Sequence, residues 1–217
     1  MQFDDTLKTD YSKVLPILEE YDIEASTVIN PGYLDRTVGG RDRLSTEQLD
    51  RLHDAGWDIC NHGMNHTYLS TLSYANQQQE IMESYDWLFD HGYSTGAQYL
   101  AYPFAAYNQD TIEIVSAYHT LSFDSGWPAD GRAANPWLFH RSNADPAADA
   151  VLPNIELAAE YGGITTFYYH ELTDEREQAF KVIINRIASM RDNGKIQIKP
   201  VREVDSLFFD TALLESS

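Results

Sequence analysis

The sequence predicts an α/β fold, a distorted (β/α) barrel of about seven parallel strands with helices outside. Short β-branched and aromatic runs alternate with longer helical patterns, which is typical of a parallel sheet covered by helices. The chain has 217 residues, of which 43% are hydrophobic, and this length suits one barrel domain over residues 1–217. The alternation is regular throughout, which favours a closed or nearly closed barrel, with an open doubly wound sheet as the alternative.

Predicted strands and helices follow one another along the whole chain. The predicted strands are Ile23–Asn30, WDICNH, AQYLAYP, HTLSFDS, GGITTFYYH and KIQIKPV. The predicted helices are STEQLDRLHDAG, Tyr74–His91, QDTIEIVSAY and EREQAFKVIINRIASMRDNG. Ser45 and Gln48 fit a capping box at the start of the first helix, and Gly56 ends it. Only three residues precede Asp4, so we expect the first barrel strand to be almost absent, with the barrel open there or residues missing upstream.

The charge of the chain argues against two classes of partner. It carries 34 Asp and Glu against 15 Lys and Arg, which gives a formal net charge of −19. Such a field repels phosphate backbones and anionic lipid surfaces, so we expect neither nucleic-acid nor membrane binding. The acidic residues are spread along ordered-looking segments, which suggests adaptation to high salt, where screening reduces the repulsion between them.

The cellular location is an expectation from the ends and the apolar runs of the sequence. No apolar run approaches the roughly 20 residues of a membrane span. The N-terminal stretch MQFDDTLKTD is acidic and does not resemble a secretory leader. The sequence as written therefore predicts a cytoplasmic protein, with an extracellular location as the alternative if a leader precedes it. Cys60 is the only cysteine, so no internal disulfide can form.

Polar side chains collect at the carboxyl ends of the predicted strands, where (β/α) barrels carry their functional groups. These residues are Asp4, Asp5, His62, His66, Asp124 and His170. Two imidazoles and one carboxylate with an open position suit a catalytic divalent transition-metal site. One of the two adjacent aspartates can then bind the metal while the other accepts a proton from water, and an opposite imidazole donates a proton to the leaving group. This set of residues predicts a hydrolase.

The residues also match the motifs of a known family. FDD at Phe3–Asp5 is similar to a first motif T-F-D-D, and HGMNH at His62–His66 to a second, H-[ST]-x-x-H. AYPFAAYN at Ala101–Asn108 is similar to a third, R-x-P-[YF]-G, and YYHEL at Tyr168–Leu172 to a fifth. The chain thus resembles the polysaccharide deacetylases, carbohydrate esterase family 4 with its NodB-homology domain. The resemblance covers nearly the whole chain.

This resemblance implies a role for each matching residue. Asp4 is expected to be the general base and His170 the general acid. The residues expected to hold one divalent metal ion, Zn or alternatively Co, Ni or Mn, are Asp5, His62 and His66. The backbone N–H of Phe104 is expected to stabilise the oxyanion. The implied substrates are N-acetylated glycans such as chitin oligomers or peptidoglycan, and some members act on other amides or on O-acetyl esters.

The third and fourth motifs depart from the family pattern. Ala101 stands where many members have the arginine that orients the base, and we expect Arg141, in WLFHRSN, to replace it. DSGW only partly resembles the fourth motif, D-x-x-D-W. Asp124 in that stretch is a candidate to orient His170, with a turn or helix-cap role as the alternative. Aromatic residues that could stack against a sugar ring, or simply pack, are Tyr33, Tyr102, Trp127 and Trp137.

The sequence therefore predicts a hydrolase that removes acetyl groups from an N-acetylated carbohydrate through metal-activated water. One alternative is a catalytically weak or inactive glycan-binding protein on the same fold, which the short first strand and Ala101 favour. Another is an O-acetyl esterase or a different amidase. A third is a non-haem iron oxygenase with the same two histidines and one carboxylate, for which oxygen-dependent turnover with Fe(II) would be the sign.

Overall fold

A computed structural model of the chain describes residues 1–125, 135–145 and 150–204. Within them, seven parallel strands form a closed barrel in the order β1-β2-β5-β6-β7-β8-β9. The barrel strands are β1 Gln2–Asp4, β2 Ser26–Ile29, β5 Asp58–Asn61, β6 Tyr99–Ala101, β7 Leu121–Ser125, β8 Phe139–Asn143 and β9 Phe167–Tyr169. A separate hairpin pairs β3 Thr37–Val38 with β4 Arg41–Asp42. The predicted fold class is confirmed.

The helices connect the barrel strands and pack outside them. They are α1 Leu15–Glu19, α2 Thr46–Asp54, α3 Tyr74–Asp90, α4 Ser94–Ala97, α5 Gln109–Tyr118, α6 Leu152–Tyr161 and α7 Asp174–Asp192. The predicted capping box of α2 is present, since the Ser45 hydroxyl accepts from the Gln48 amide and the Gln48 side chain accepts from the Ser45 amide. Among the helices in these ranges, none is both long and apolar enough to cross a bilayer.

The first strand is complete enough to close the barrel, so the expectation of an open barrel is wrong. Phe3 is paired with Thr27 of β2 on one side and with Tyr169 of β9 on the other. Its ring is fully buried and stacks on Trp57 at 5.5 Å and on Tyr169 at 5.8 Å between centroids. Three residues suffice because hydrogen bonds from both neighbouring strands and this aromatic packing hold them.

The prediction of a last strand at KIQIKPV is also wrong. Residues 196–200 form no strand, and residues 201–204 are helical. The alternation of Ile196 and Ile198 with polar residues reflects partial burial against the core rather than strand pairing. No strand edge is available to this segment, because β9 already pairs with β1 and completes the barrel.

Side chains alternate between the barrel interior and the helix layer, as strand geometry requires. A buried cluster that includes Val28, Cys60, Ala101 and Phe123 fills the interior. Phe3 belongs instead to the larger cluster between the strands and the helices. This alternation decides which polar residues at the strand ends can meet one another.

We expect Phe3→Ala to lower the free energy of unfolding by about 3–5 kcal/mol, because it removes a fully buried aromatic ring. Urea denaturation followed by circular dichroism measures the change. Phe89 is 55% exposed, and Phe89→Ala, the matched control, should change stability by only about 0.5 kcal/mol. Equal effects of the two substitutions would contradict the importance of the Phe3 packing.

Candidate active site

Three predicted metal ligands meet at one end of the barrel. The Asp5 Oδ1 atom lies 3.1 Å from His66 Nε2 and 3.6 Å from His62 Nε2. One possible ligand atom from each of the three residues lies within 4.8 Å of the others. Asp5 and His62 are buried, and His66 is partly exposed, so the cluster opens to solvent on one side.

Hydrogen bonding around His62 shows that this cluster suits a cation. His62 Nδ1 lies 2.7 Å from the Ala101 carbonyl oxygen. A carbonyl can only accept, so Nδ1 carries the proton and Nε2 of the neutral ring presents a lone pair. That lone pair faces Asp5 Oδ1, a buried oxygen with no hydrogen-bond donor in the described part of the chain. A divalent metal ion fits between these acceptors, and a histidine ligand often donates its other N–H to a carbonyl.

Local backbone geometry sets the direction of the ligands. Asp5, Thr6 and His66 have φ values of 76°, 60° and 53°, in the left-handed region that non-glycine residues rarely adopt. The Thr6 hydroxyl accepts from the Asn30 amide at 2.7 Å, and Arg43 donates to the Asp5 carbonyl. Each such conformation costs on the order of 1–3 kcal/mol, and such strain is concentrated at functional sites.

The HGMNH segment is a loop after β5, and neighbouring side chains fix its shape. The side-chain amide of Asn30 donates to the carbonyl oxygens of His62 and Gly63, at 2.5 and 3.0 Å. From α3, the Glu80 carboxylate accepts from both the backbone and the side-chain amide of Asn65. Asn30 and Glu80 carry no motif signal of their own, and sequence reasoning missed them.

A buried ion pair holds the predicted base. Arg141 donates to both carboxylate oxygens of Asp4, each at 2.8 Å, and also to Gln2 Oε1 at 2.9 Å. The guanidinium lies 4.5 Å from the centroid of the Tyr168 ring. The structure thus brings together the two residues that the sequence paired in place of the missing motif arginine. Their catalytic roles are still predictions.

The predicted general acid has a carboxylate partner. His170 Nδ1 lies 2.5 Å from Asp145 Oδ2, and the His170 amide donates to Asp145 Oδ1 at 3.0 Å. Burial alone would lower the pKa of His170, but the bond to Asp145 and the charges of Asp4 and Asp5 raise it above its ordinary value. Sequence reasoning missed Asp145, although it follows β8 at a strand end where a polar residue is informative.

The expectation that Asp124 orients His170 is wrong. Because Phe123 points into the barrel, Asp124 on the next position of β7 points outward. Its carboxylate accepts from the Tyr107 hydroxyl at 2.9 Å and lies 3.5 Å from His140 Nδ1. Asp124 therefore belongs to a polar cluster between the strands and the helix layer.

The aromatic residues near the site differ from the predicted stacking wall. Tyr102 is only 2% exposed and donates to the Trp137 carbonyl at 2.8 Å, so it cannot contact a sugar. Trp127 lies outside the described residues. Tyr33 is half-buried, with its ring centroid 6.4 Å from that of His66. The rings exposed beside the metal residues are instead those of Phe104 and Tyr68.

The Phe104 amide lies in a strained turn. Phe104 and Ala105 both have positive φ, 57° and 50°. The next two amides bond back to the Tyr102 and Pro103 carbonyls. Across the described ranges, the Phe104 amide has no backbone acceptor, so it is available to a ligand. This fits its predicted oxyanion role.

The geometry agrees with the comparisons to known proteins. A family model described as "Polysaccharide deacetylase" matches residues 1–122. The chain belongs to the polysaccharide deacetylase family. The matched part contains Asp4, Asp5, His62, His66 and Phe104, whereas Arg141, Asp145 and His170 lie beyond it.

Individual relatives of this polysaccharide deacetylase chain cover only part of its length. The Bacillus subtilis (strain 168) protein YxkH is 27% identical over 148 residues, which is 66% of this chain and 50% of YxkH. Streptococcus pyogenes deacetylase PplD, solved with acetate, is 25% identical with a TM-score of 0.59, covering 64% of this chain and 61% of PplD. The chain therefore spans about half the length of its curated relative.

A more distant structure supports the fold over most of the chain. The family 4 carbohydrate esterase from Streptomyces lividans, also solved with acetate, covers 89% of this chain and 87% of its own. The TM-score is 0.63 at 15% identity. At this identity the likeness supports the barrel alone, and it extends past the end of the family match.

We expect Glu80→Ala to weaken Zn²⁺ binding by roughly 10–100-fold, because the carboxylate that fixes the HGMNH loop is lost. Isothermal titration of the metal-free protein measures the affinity, and circular dichroism checks the fold. Glu83→Ala, an exposed change on the same helix, should have no effect. Unchanged affinity in folded Glu80→Ala would show that the loop keeps its shape without this residue.

Proposed function

We propose that the protein is a metal-dependent hydrolase that removes acetyl groups from an N-acetylated carbohydrate. The observation that carries the proposal is the cluster of Asp5, His62 and His66 at the barrel end, together with two side-chain pairs that can transfer protons. These are the Asp4–Arg141 and His170–Asp145 pairs. Membership of the polysaccharide deacetylase family supports the same activity, and PplD, which is named a deacetylase, was solved with acetate.

The candidate metal site combines one carboxylate with two imidazoles, a donor set that suits a divalent transition metal. The Asp5 carboxylate lies 3.6 Å from the Arg41 guanidinium, a cation that favours its ionised form. Asp5 is therefore an anionic ligand. When bound, a divalent ion, most suitably Zn²⁺, supplies Lewis-acid polarisation of the acetyl carbonyl and acidifies water in the site.

Asp4 removes the proton from the attacking water as the water oxygen bonds to the acetyl carbon. Arg141 contacts both of its oxygens, which fixes the carboxylate plane and keeps the base from turning toward the metal ligands. The Phe104 amide donates to the carbonyl oxygen as negative charge develops there. A single donor of this kind contributes roughly 10²–10³-fold to the rate.

His170 donates the proton that lets the C–N bond break. Its raised pKa favours the protonated imidazole, and Asp145 accepts the Nδ1 proton in a hydrogen bond, so that Nε2 is free to donate. The products are acetate and the amine of the sugar, and the proton on Asp4 returns to solvent. Water supplies the oxygen, so the reaction needs no redox partner.

Two sequence features favoured a protein that only binds glycans, the short first strand and Ala101, and the structure offsets each of them. The first strand pairs on both sides, and Asp4 is buried in it rather than frayed. Arg141 from β8 donates to both oxygens of Asp4, the contact expected of the arginine that is absent at Ala101. Both observations support a catalytic protein as the better proposal.

We expect acetate release from N-acetylglucosamine oligomers in the presence of Zn²⁺ or Co²⁺, measured with an enzymatic acetate assay. Asp4→Asn should lower the rate by roughly 10²–10⁴-fold through loss of the base. His66→Ala should abolish the activity through loss of a metal ligand. His53→Ala, an exposed helix histidine, should change nothing. A folded, metal-loaded protein that releases no acetate from oligomers or acetyl esters would refute the proposed activity.

We expect Asp145→Asn to move the alkaline limb of the kcat/KM profile to lower pH. Protonated His170 is the active form, and the carboxylate raises the pKa of His170, so its loss allows deprotonation at lower pH. At neutral pH, kcat/KM should fall by roughly 10²-fold. Asp124→Asn is the matched control, because Asp124 faces away from the site. If both variants keep the wild-type limb, the assignment of His170 as general acid is wrong.

A further inference from the structure

Two exposed aromatic rings form a stack beside the metal residues. The rings of Phe104 and Tyr68 are parallel, with centroids 3.9 Å apart and planes within 4°. They are 49% and 54% exposed. The Phe104 ring also lies 4.3 Å from the His66 imidazole. The three rings therefore run outward from a metal ligand, and the outermost, Tyr68, has one face against Phe104 and the other toward solvent.

The loops that carry the two rings are tied together. The Ser70 amide donates to the Ala106 carbonyl at 3.3 Å, and the Asn108 side chain donates to the Ser70 carbonyl at 3.3 Å. Leu69, next to Tyr68, is fully buried and anchors this turn in the core. These hydrogen bonds and the buried Leu69 hold the stacked pair in place, which limits the conformational entropy lost when a ligand binds it.

The backbone at Phe104 is strained, which indicates that the surrounding structure holds this residue in its exposed position. Phe104 and Ala105 are both in the left-handed region, where each non-glycine residue costs on the order of 1–3 kcal/mol. This turn holds an apolar ring half-exposed to water rather than in the core. Among the described residues, Phe89 is the other phenylalanine that is about half-exposed, and its stacked neighbour on α3, Tyr85, lies 6.4 Å away. Exposure of this kind beside a reactive centre indicates a binding surface.

We propose that the outer face of Tyr68 binds a second sugar ring of a neutral oligosaccharide, next to the sugar that carries the reacting acetyl group. This inference rests on the proposed function. The flat face of an aromatic ring suits the C–H face of a pyranose. The ring centroids are 4.3 Å apart between His66 and Phe104 and 3.9 Å apart between Phe104 and Tyr68. Tyr68 is therefore the ring farthest from the metal residues, where the sugar next to the reacting one would lie. The net charge of −19 disfavours polyanionic glycans.

The test compares binding of N-acetylchitotetraose and of N-acetylglucosamine to the Zn²⁺-loaded protein by isothermal titration, beside the acetate assay. Tyr68→Ala should weaken tetraose binding about 3–10-fold and monosaccharide binding less. Tyr68→Phe should bind tetraose within about twofold of wild type, since it keeps the ring. Phe89→Ala should match the wild type in both assays.

The possible results distinguish failure of the proposed subsite from failure of the proposed activity. If acetate is released but Tyr68→Ala binds the tetraose normally, or loses affinity equally for both ligands, the subsite is refuted and the activity stands. If the wild type releases no acetate yet binds the tetraose through Tyr68, the activity is refuted and the subsite stands. If the wild type binds no tetraose, the subsite is refuted.

Discussion

The pairing of β1 with both β2 and β9 is the constraint on which the rest of the structure depends. It closes the barrel through Phe3, whose ring packs between Trp57 and Tyr169. Because successive residues of a strand face opposite sides, burying Phe3 outside turns Asp4 inward, where Arg141 can reach it. Asp5 comes just after the strand and turns to the histidines through its positive φ. One short strand thus turns two adjacent carboxylates to different partners, which under the proposed function makes one a base and the other a ligand.

Much of the fold was predictable because it depends on local patterns. The alternation of elements, the capping box at Ser45 and the polar residues at strand ends are all properties of neighbouring residues. The KIQIKPV segment has the same local alternation as a strand, yet whether a strand edge is available there depends on β1 and β9. That information lies at the two ends of the chain and is not present in the segment itself.

The errors at the site have one main physical cause. Barrel strands are buried on both faces, one by the interior and one by the helices, so apolar alternation does not reveal which side chains point inward. Asp124 and Tyr102 were therefore assigned to the site although both point to the helix layer. Asp145 and Glu80 were missed because their partners, His170 and Asn65, are identified only by distance in the folded chain. Arg141 was found because a motif residue was absent and needed a replacement.

The order of the site residues along the chain has a consequence for how this chemistry can change. Asp5, His62 and His66 lie in the first third of the sequence. Arg141, Asp145 and His170 lie on or just after β8 and β9, the last two strands along the chain. The Arg141–Asp4 bond joins positions 137 residues apart. Under the proposed function, substitutions in the later segment would therefore change the residues that hold Asp4 and His170 without replacing any of the three candidate metal residues. Under the proposed function, proton transfer would thus depend on both ends of the chain, whereas the metal residues would come from its first third alone.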